Sequence, residues 1–130
     1  MSHTTQPANE QAAVATYLDG LNSLDADLAL SRFSDDAVVH YPGKPEMSKD
    51  AFHASLAEVF SALKSMEFTT REVFETHHGV AARWTFTAET RGGRTATCDG
   101  IDSWRLDDKG TVSAIDVYYD PSPLAQALAD

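Results

Sequence analysis

From Glu10 onward apolar residues recur at helical spacing, with Val14, Tyr17, Leu18 and Leu21 on one stripe and Asn9 placed as an N-cap. The nine residues before it are polar and unpatterned and read as a flexible tail, 1–9. Asp19, Gly20 and Asn22 weaken the end of this helix, and Asp25 can cap a second, short one that carries Leu28, Ala29 and Phe33 inward. Asp35-Asp36 interrupts the pattern. Ala37 to Tyr41 then has the composition of a short strand, stopped by Pro42-Gly43. Ser48 is placed to cap a third helix, whose apolar face runs through Phe52, Leu56, Val59, Phe60 and Leu63.

After Ser65 the period changes from 3.6 to 2. Met66 to Thr76 is one strand, and His77-His78-Gly79 is a turn. In the next, Val80 to Thr90, Val80, Ala82, Trp84, Phe86 and Ala88 alternate with polar or small neighbours. Arg91-Gly92-Gly93 turns the chain into Arg94 to Leu106, and Asp107-Asp108-Lys109-Gly110 into Thr111 to Tyr119. Three tight connections in succession predict an antiparallel meander. Helices in the first half and strands in the second give an α+β fold, with the helices on one face of the sheet. Residues 10–130 form one domain, and Pro121 to Asp130 can add a last helical turn.

Composition changes this picture in one respect. Hydrophobic residues at 42% and charged residues at 23% are ordinary, but 10 basic against 20 acidic side chains leave a net charge of −10. Such a chain repels phosphate backbones and anionic lipid, so neither nucleic acid nor membrane is an expected partner. No uncharged run exceeds nine residues, too short to span a bilayer, and no signal-peptide pattern opens the sequence. The lone Cys98 cannot form an intrachain disulfide or anchor a zinc site by itself. A cytoplasmic protein without metal or cofactor is the expectation.

The chemistry-bearing motifs are few. GxGxxG, GxSxG, HExxH and CxxC are all missing. His77 and His78 are adjacent at a hairpin tip, where neighbouring side chains diverge, and His53 lies at the flank of the third helix's stripe. More informative are polar residues at positions predicted to be buried. Tyr17 lies on the first helix's apolar stripe, where by itself it reads as a core tyrosine with its hydroxyl at the edge. Asp102 shares strand parity with Ala96, Cys98, Gly100, Trp104 and Leu106, and no basic residue shares that face nearby. A carboxyl there must pair or keep its proton, unless a one-residue slip of register turns it to solvent.

Tyr17-Leu18-Asp19-Gly20-Leu21, Phe33-Ser34-Asp35-Asp36-Ala37-Val38-Val39, Gly79-Val80-Ala81-Ala82-Arg83-Trp84 and the closing Val117-Tyr118-Tyr119-Asp120-Pro121 resemble the nuclear-transport-factor-2-like superfamily. That superfamily includes ketosteroid isomerases, SnoaL-like polyketide cyclases, scytalone dehydratase and limonene epoxide hydrolase. The resemblance spans Glu10 to Pro121. It implies a cone of three helices packed on a curved antiparallel sheet (a cystatin-like roll), an apolar pocket at the open end, and a homodimer through the outer sheet face. Along ketosteroid isomerase, Tyr17 and Asp102 match the tyrosine and protonated aspartic acid that donate to the steroid's carbonyl oxygen. The residue before Pro42 is Tyr41, where the isomerase has its general base, and a phenol is a poor base at neutral pH. The base is therefore open among Tyr41, His40, His53 and water.

Other branches match less of the chain. The cyclases' histidine and aspartate on the last strand correspond to Ile115 and Val117, and the arginine of epoxide hydrolase corresponds to Gly100. Scytalone dehydratase has a water-holding tyrosine at about the place of Tyr41. By parity the pocket wall comprises Val39, Tyr41, Trp84, Phe86, Cys98, Gly100, Trp104, Ile115, Val117 and Tyr119, some of which fill the core of so small a domain. His40 points away if Tyr41 points in, and one bulge would exchange them. Two functions follow. One is an isomerase-, cyclase- or dehydratase-like enzyme acting on an apolar carbonyl or phenolic compound, with Tyr17 and Asp102 at the oxyanion and Tyr41 orienting substrate or water. The other is a ligand-binding or dimerisation domain that keeps the cavity without catalysis.

Overall fold

The computed structural model describes residues 6–77 and 79–129, with side chains from residue 12 onward. Helix α1, Gln6–Asn22, is followed by the single turn α2, Ala26–Ala29. The expected cap Asn9 lies inside α1, and the helix begins within the segment expected to be a tail. Asp25 caps α2 by accepting from the Leu28 N–H. A Cβ on Gly20 would stand 2.2 Å from the backbone nitrogen of Ala29, so α1 and α2 meet at a distance that only glycine permits.

Strand β1 runs Phe33–His40, longer than expected. Phe33 opens this strand instead of closing α2, and Asp35 and Asp36 lie within it on the solvent side. A two-residue strand β2, Met47–Ser48, precedes α3, Lys49–Ser61, which Ser48 caps through the Ala51 N–H. Phe52, Leu56 and Phe60 form the buried face of α3 as the stripe predicts. Leu63 belongs to the next strand, β3 (Leu63–Thr76), not to the helix. Strands β4 (Gly79–Thr90), β5 (Thr95–Leu106) and β6 (Val112–Tyr119) complete the meander, and α4 (Ser122–Leu128) follows.

The sheet is curved, unclosed and six-stranded, in the order β2-β1-β6-β5-β4-β3. The meander β3 to β6 is antiparallel throughout. One correction concerns β1, which pairs parallel with β6, Val39 opposite Ile115. The long crossover between them, α3 plus the meander, is the kind of connection a parallel pair needs. From Val80 to Thr90 burial alternates strictly along β4, and Trp84 and Phe86 face the helices. One continuous core joins this sheet face to α1, α3 and α4.

Candidate active site

Between the sheet and the helices lies a cavity of about 320 Å³. Tyr17 and Leu21 enter it from α1, and Phe52, Leu56 and Phe60 from α3. The sheet contributes Phe68, Trp84, Phe86, Asp102, Val117 and Tyr119. Tyr41, Pro42 and Lys44 form its mouth, and Leu124 and Leu128 of α4 cover it. The wall is apolar and aromatic, with phenols, one carboxyl and one rim cation as its ionisable groups among the described residues.

Asp102 is 1% exposed, on the inner face of β5 as parity predicts, and its Oδ1 has no hydrogen-bond partner. Burial pushes its pKa up to about 8, and the nearby Trp84 side chain acts against that rise. The Trp84 Nε1 itself makes no well-formed hydrogen bond. Burial thus favours the neutral form of Asp102 near pH 7. Tyr17 is held well above the ordinary phenol range, first by burial and then by the neighbouring Asp102 and Tyr119. Its ring is wedged between Phe33 and Trp104, each centroid 5.9 Å away, which fixes the hydroxyl's direction.

Tyr41 and Tyr119 stand edge to face across the mouth, with hydroxyl oxygens 3.5 Å apart, at the long limit of a hydrogen bond. Burial raises both phenols, so neither is a base near neutrality. His40 points outward, as the alternation with Tyr41 requires. Its Nδ1 lies 2.6 Å from Asp116 and its Nε2 3.0 Å from Glu46, and those two carboxylates raise its pKa. His53 Nε2 bonds Asp27 at 2.7 Å on the α2 side of α3. Neither histidine lines the cavity.

Of the expected wall, Tyr41, Trp84, Phe86, Val117 and Tyr119 line the cavity, with Tyr17 and Asp102. Val39, Trp104, Ile115 and Cys98 do not; they are buried core. Val39, Ile115 and Trp104 lie in one fully buried cross-strand row, and Cys98 lies against Leu124. Gly100 is roofed by the indole of Trp84. Parity identifies the inner face of a strand but not how far along it the helices leave space. Sequence reasoning took Phe52, Leu56 and Phe60 for core, and it missed Phe68 and the covering residues of α4; the dense apolar stripe of α3 was the available signal.

A family model for the SnoaL-like domain matches residues 14–115. The chain belongs to the SnoaL-like domain family. No curated protein matches it significantly. Among solved structures it is similar to a putative SnoaL-like polyketide cyclase from Jannaschia sp. CCS1, with TM-score 0.83 and 13% identity over 99% of this chain and 97% of that one. It is also similar to TerC, co-crystallised with polyporic acid, with TM-score 0.76 and 21% identity over 94% and 99% of the two chains. A third is RV0760c from Mycobacterium tuberculosis, in complex with estradiol-17beta-hemisuccinate, with TM-score 0.75 and 18% identity over 88% and 96%. The family match places the chain in the nuclear-transport-factor-2-like superfamily, and these likenesses show the cone fold. Among the described residues no helix is long and apolar enough to cross a membrane, and no three His, Cys, Asp or Glu side chains gather as a metal site would need.

Proposed function

We propose that this SnoaL-like domain is a cytoplasmic small-molecule enzyme, promoting proton transfer, cyclisation or dehydration of an apolar carbonyl or phenolic compound. The observation that carries this reading is a buried carboxyl and a buried phenol, Asp102 and Tyr17, facing one apolar cavity without a cation beside the carboxyl, so that burial raises the pKa of both. Burying an unpaired carboxyl is costly, and a cavity domain has no need of it. Neutral donors in a site of low dielectric stabilise an oxygen as it gains charge, and they need no reorganisation to do so. Tyr41 and Tyr119 at the mouth would orient substrate or a water. TerC, co-crystallised with polyporic acid, and RV0760c, in complex with estradiol-17beta-hemisuccinate, support a small organic ligand for this chain as well. Two copies would pair through the outer sheet face.

One observation favours a second reading, a ligand-binding or dimerisation domain without catalysis. No histidine or second carboxyl lines the cavity among the described residues. Two measurements separate the readings. A naphtholate probe should bind, Asp102→Asn should retain much of its affinity, and Asp102→Leu should lose about 1.5–3 kcal/mol. Tyr17→Phe should weaken the same ligand, and the two losses should not add, since both groups serve one oxygen. Exchange of α-protons of an enolisable aryl ketone in D2O then tests for turnover. Equal probe binding by all variants would remove the oxyanion site, and binding without exchange would leave the non-catalytic domain.

A further inference from the structure

On β4 and β5, Trp84 stands opposite Gly100, and Ala82 opposite Asp102. A Cβ on Gly100 would lie 2.5 Å from Cη2 and 2.6 Å from Cζ2 of the Trp84 indole. The benzo ring therefore occupies the place of a side chain at position 100. Asp102 is the next residue on the same face of β5. Phe68, Phe86 and Tyr119 hold the indole from the cavity side, with centroids 5.0, 5.7 and 5.6 Å away. Among the described residues three buried side-chain polar atoms lack partners, Trp84 Nε1, Asp102 Oδ1 and Trp104 Nε1, and of the two indoles it is Trp84 that borders the cavity with Asp102. An indole nitrogen only donates and a carboxylate oxygen only accepts, so each supplies what the other lacks. Buried polar atoms of a native protein seldom stay unpaired in every state it visits.

We propose that Trp84, seated over Gly100, is the positioning residue that receives the Asp102 carboxylate, donating its indole N–H once Asp102 has passed its proton to an oxygen bound in the cavity. The proton leaves the carboxyl hydroxyl for the ligand's oxygen, and the carboxylate left behind takes the indole hydrogen bond. The reverse transfer restores the neutral acid. Asp102 then delivers a proton and takes one back, in a cavity whose other facing titratable groups are phenols. Those are Tyr17 from α1, Tyr41 beyond β1 and Tyr119 from β6, with Lys44 the one cation at the mouth. The inference rests on Asp102 as the working acid of this site and adds the group that lets it ionise there. Against the burial that disfavours its charge, the Trp84 side chain is the group acting the other way.

The test is an NMR titration of ligand-free protein, following the Asp102 carboxyl carbon and the two indole N–H signals from pH 5 to 10. The Trp84 N–H is expected to shift with the same midpoint as Asp102. The Trp104 N–H, a second unpartnered indole that does not line the cavity, should stay in place. Trp84→Phe keeps an aromatic ring and removes the donor. It should raise the Asp102 midpoint by about one pH unit, tenfold in its ionisation constant. A Trp84 signal that stays flat through the Asp102 titration would overturn the proposal, with no variant needed. So would a Trp84→Phe protein with an unmoved midpoint. Because no ligand is present, failure of naphtholate binding with a tracking indole would sink only the oxyanion-site function.

Discussion

At the scale of the residue, Asp102 makes the protein's stability depend on pH. Its pKa is near 3.8 when the chain is unfolded and about 8 in the fold. Below pH 4 both states hold the proton and the residue contributes no pH dependence. Between the two values the unfolded chain ionises while the folded one does not. Stability is therefore lost at up to about 1.4 kcal/mol per pH unit until the folded group also titrates. Urea denaturation at pH 5 and pH 8 should show this loss in the parent, and Asp102→Asn should flatten it. A parent whose unfolding free energy follows Asp102→Asn across that range would mean that Asp102 is ionised in the fold. The sequence left Asp102 either buried, since a carboxyl interrupts an otherwise apolar parity of two, or turned to solvent by a one-residue slip, and the fold takes the first. The outward turn of His40 was legible by the same alternation. Which inner residues face space and which face atoms was not legible. Trp104 and Trp84 share chemistry and face, yet only Trp84 borders the cavity, because Tyr17 packs against Trp104 and fills the space there.

At the scale of the element, local signals placed the helices and the meander well and the first strand poorly. Asp25 and Ser48 act as caps where their side chains announce them, since capping is a contact within four residues. Asp35 and Asp36 looked like a break, but β1 passes through them because their side chains face solvent and its backbone is held by β6. Pairing with a strand some seventy residues away leaves no local mark, so the parallel contact could not be read from the pattern. The closeness of α1 and α2 is similarly non-local. Gly20 weakens a helix by propensity, and its role emerges only against Ala29. Gly20→Ala should gain helix propensity yet destabilise by on the order of 3 kcal/mol, because backbone must move to admit one methyl. Gly92→Ala is the control: its added Cβ meets nothing nearer than 3.8 Å, and it should change the urea midpoint little. If Gly20→Ala proved as mild as that control, the α1–α2 contact would be slack.

At the scale of the whole molecule, the outer face of the sheet remains uncovered by the chain's own helices. Most of it is polar and internally paired: Arg83 bonds Glu72 at 2.9 Å, and Thr85 donates to Asp99 at 2.7 Å. In its midst Ile101 and Tyr118 stand in register on β5 and β6, 41% and 59% exposed. An apolar pair framed by satisfied polar ladders suits a second copy better than water, because the neighbouring polar groups need not be stripped of their partners. We expect a homodimer with these residues near its centre. The net charge of −10 on each copy opposes that association at long range. Physiological salt shortens the screening distance to about 8 Å and removes most of the opposition, so the dimer should strengthen as salt rises from low values. Sedimentation at micromolar concentration should show this trend, and Ile101→Glu should give a 14.1 kDa monomer while leaving naphtholate binding intact, since Ile101 lies on the face opposite the cavity. A parent that sediments as a monomer at every salt concentration would show that the outer face is simply solvated.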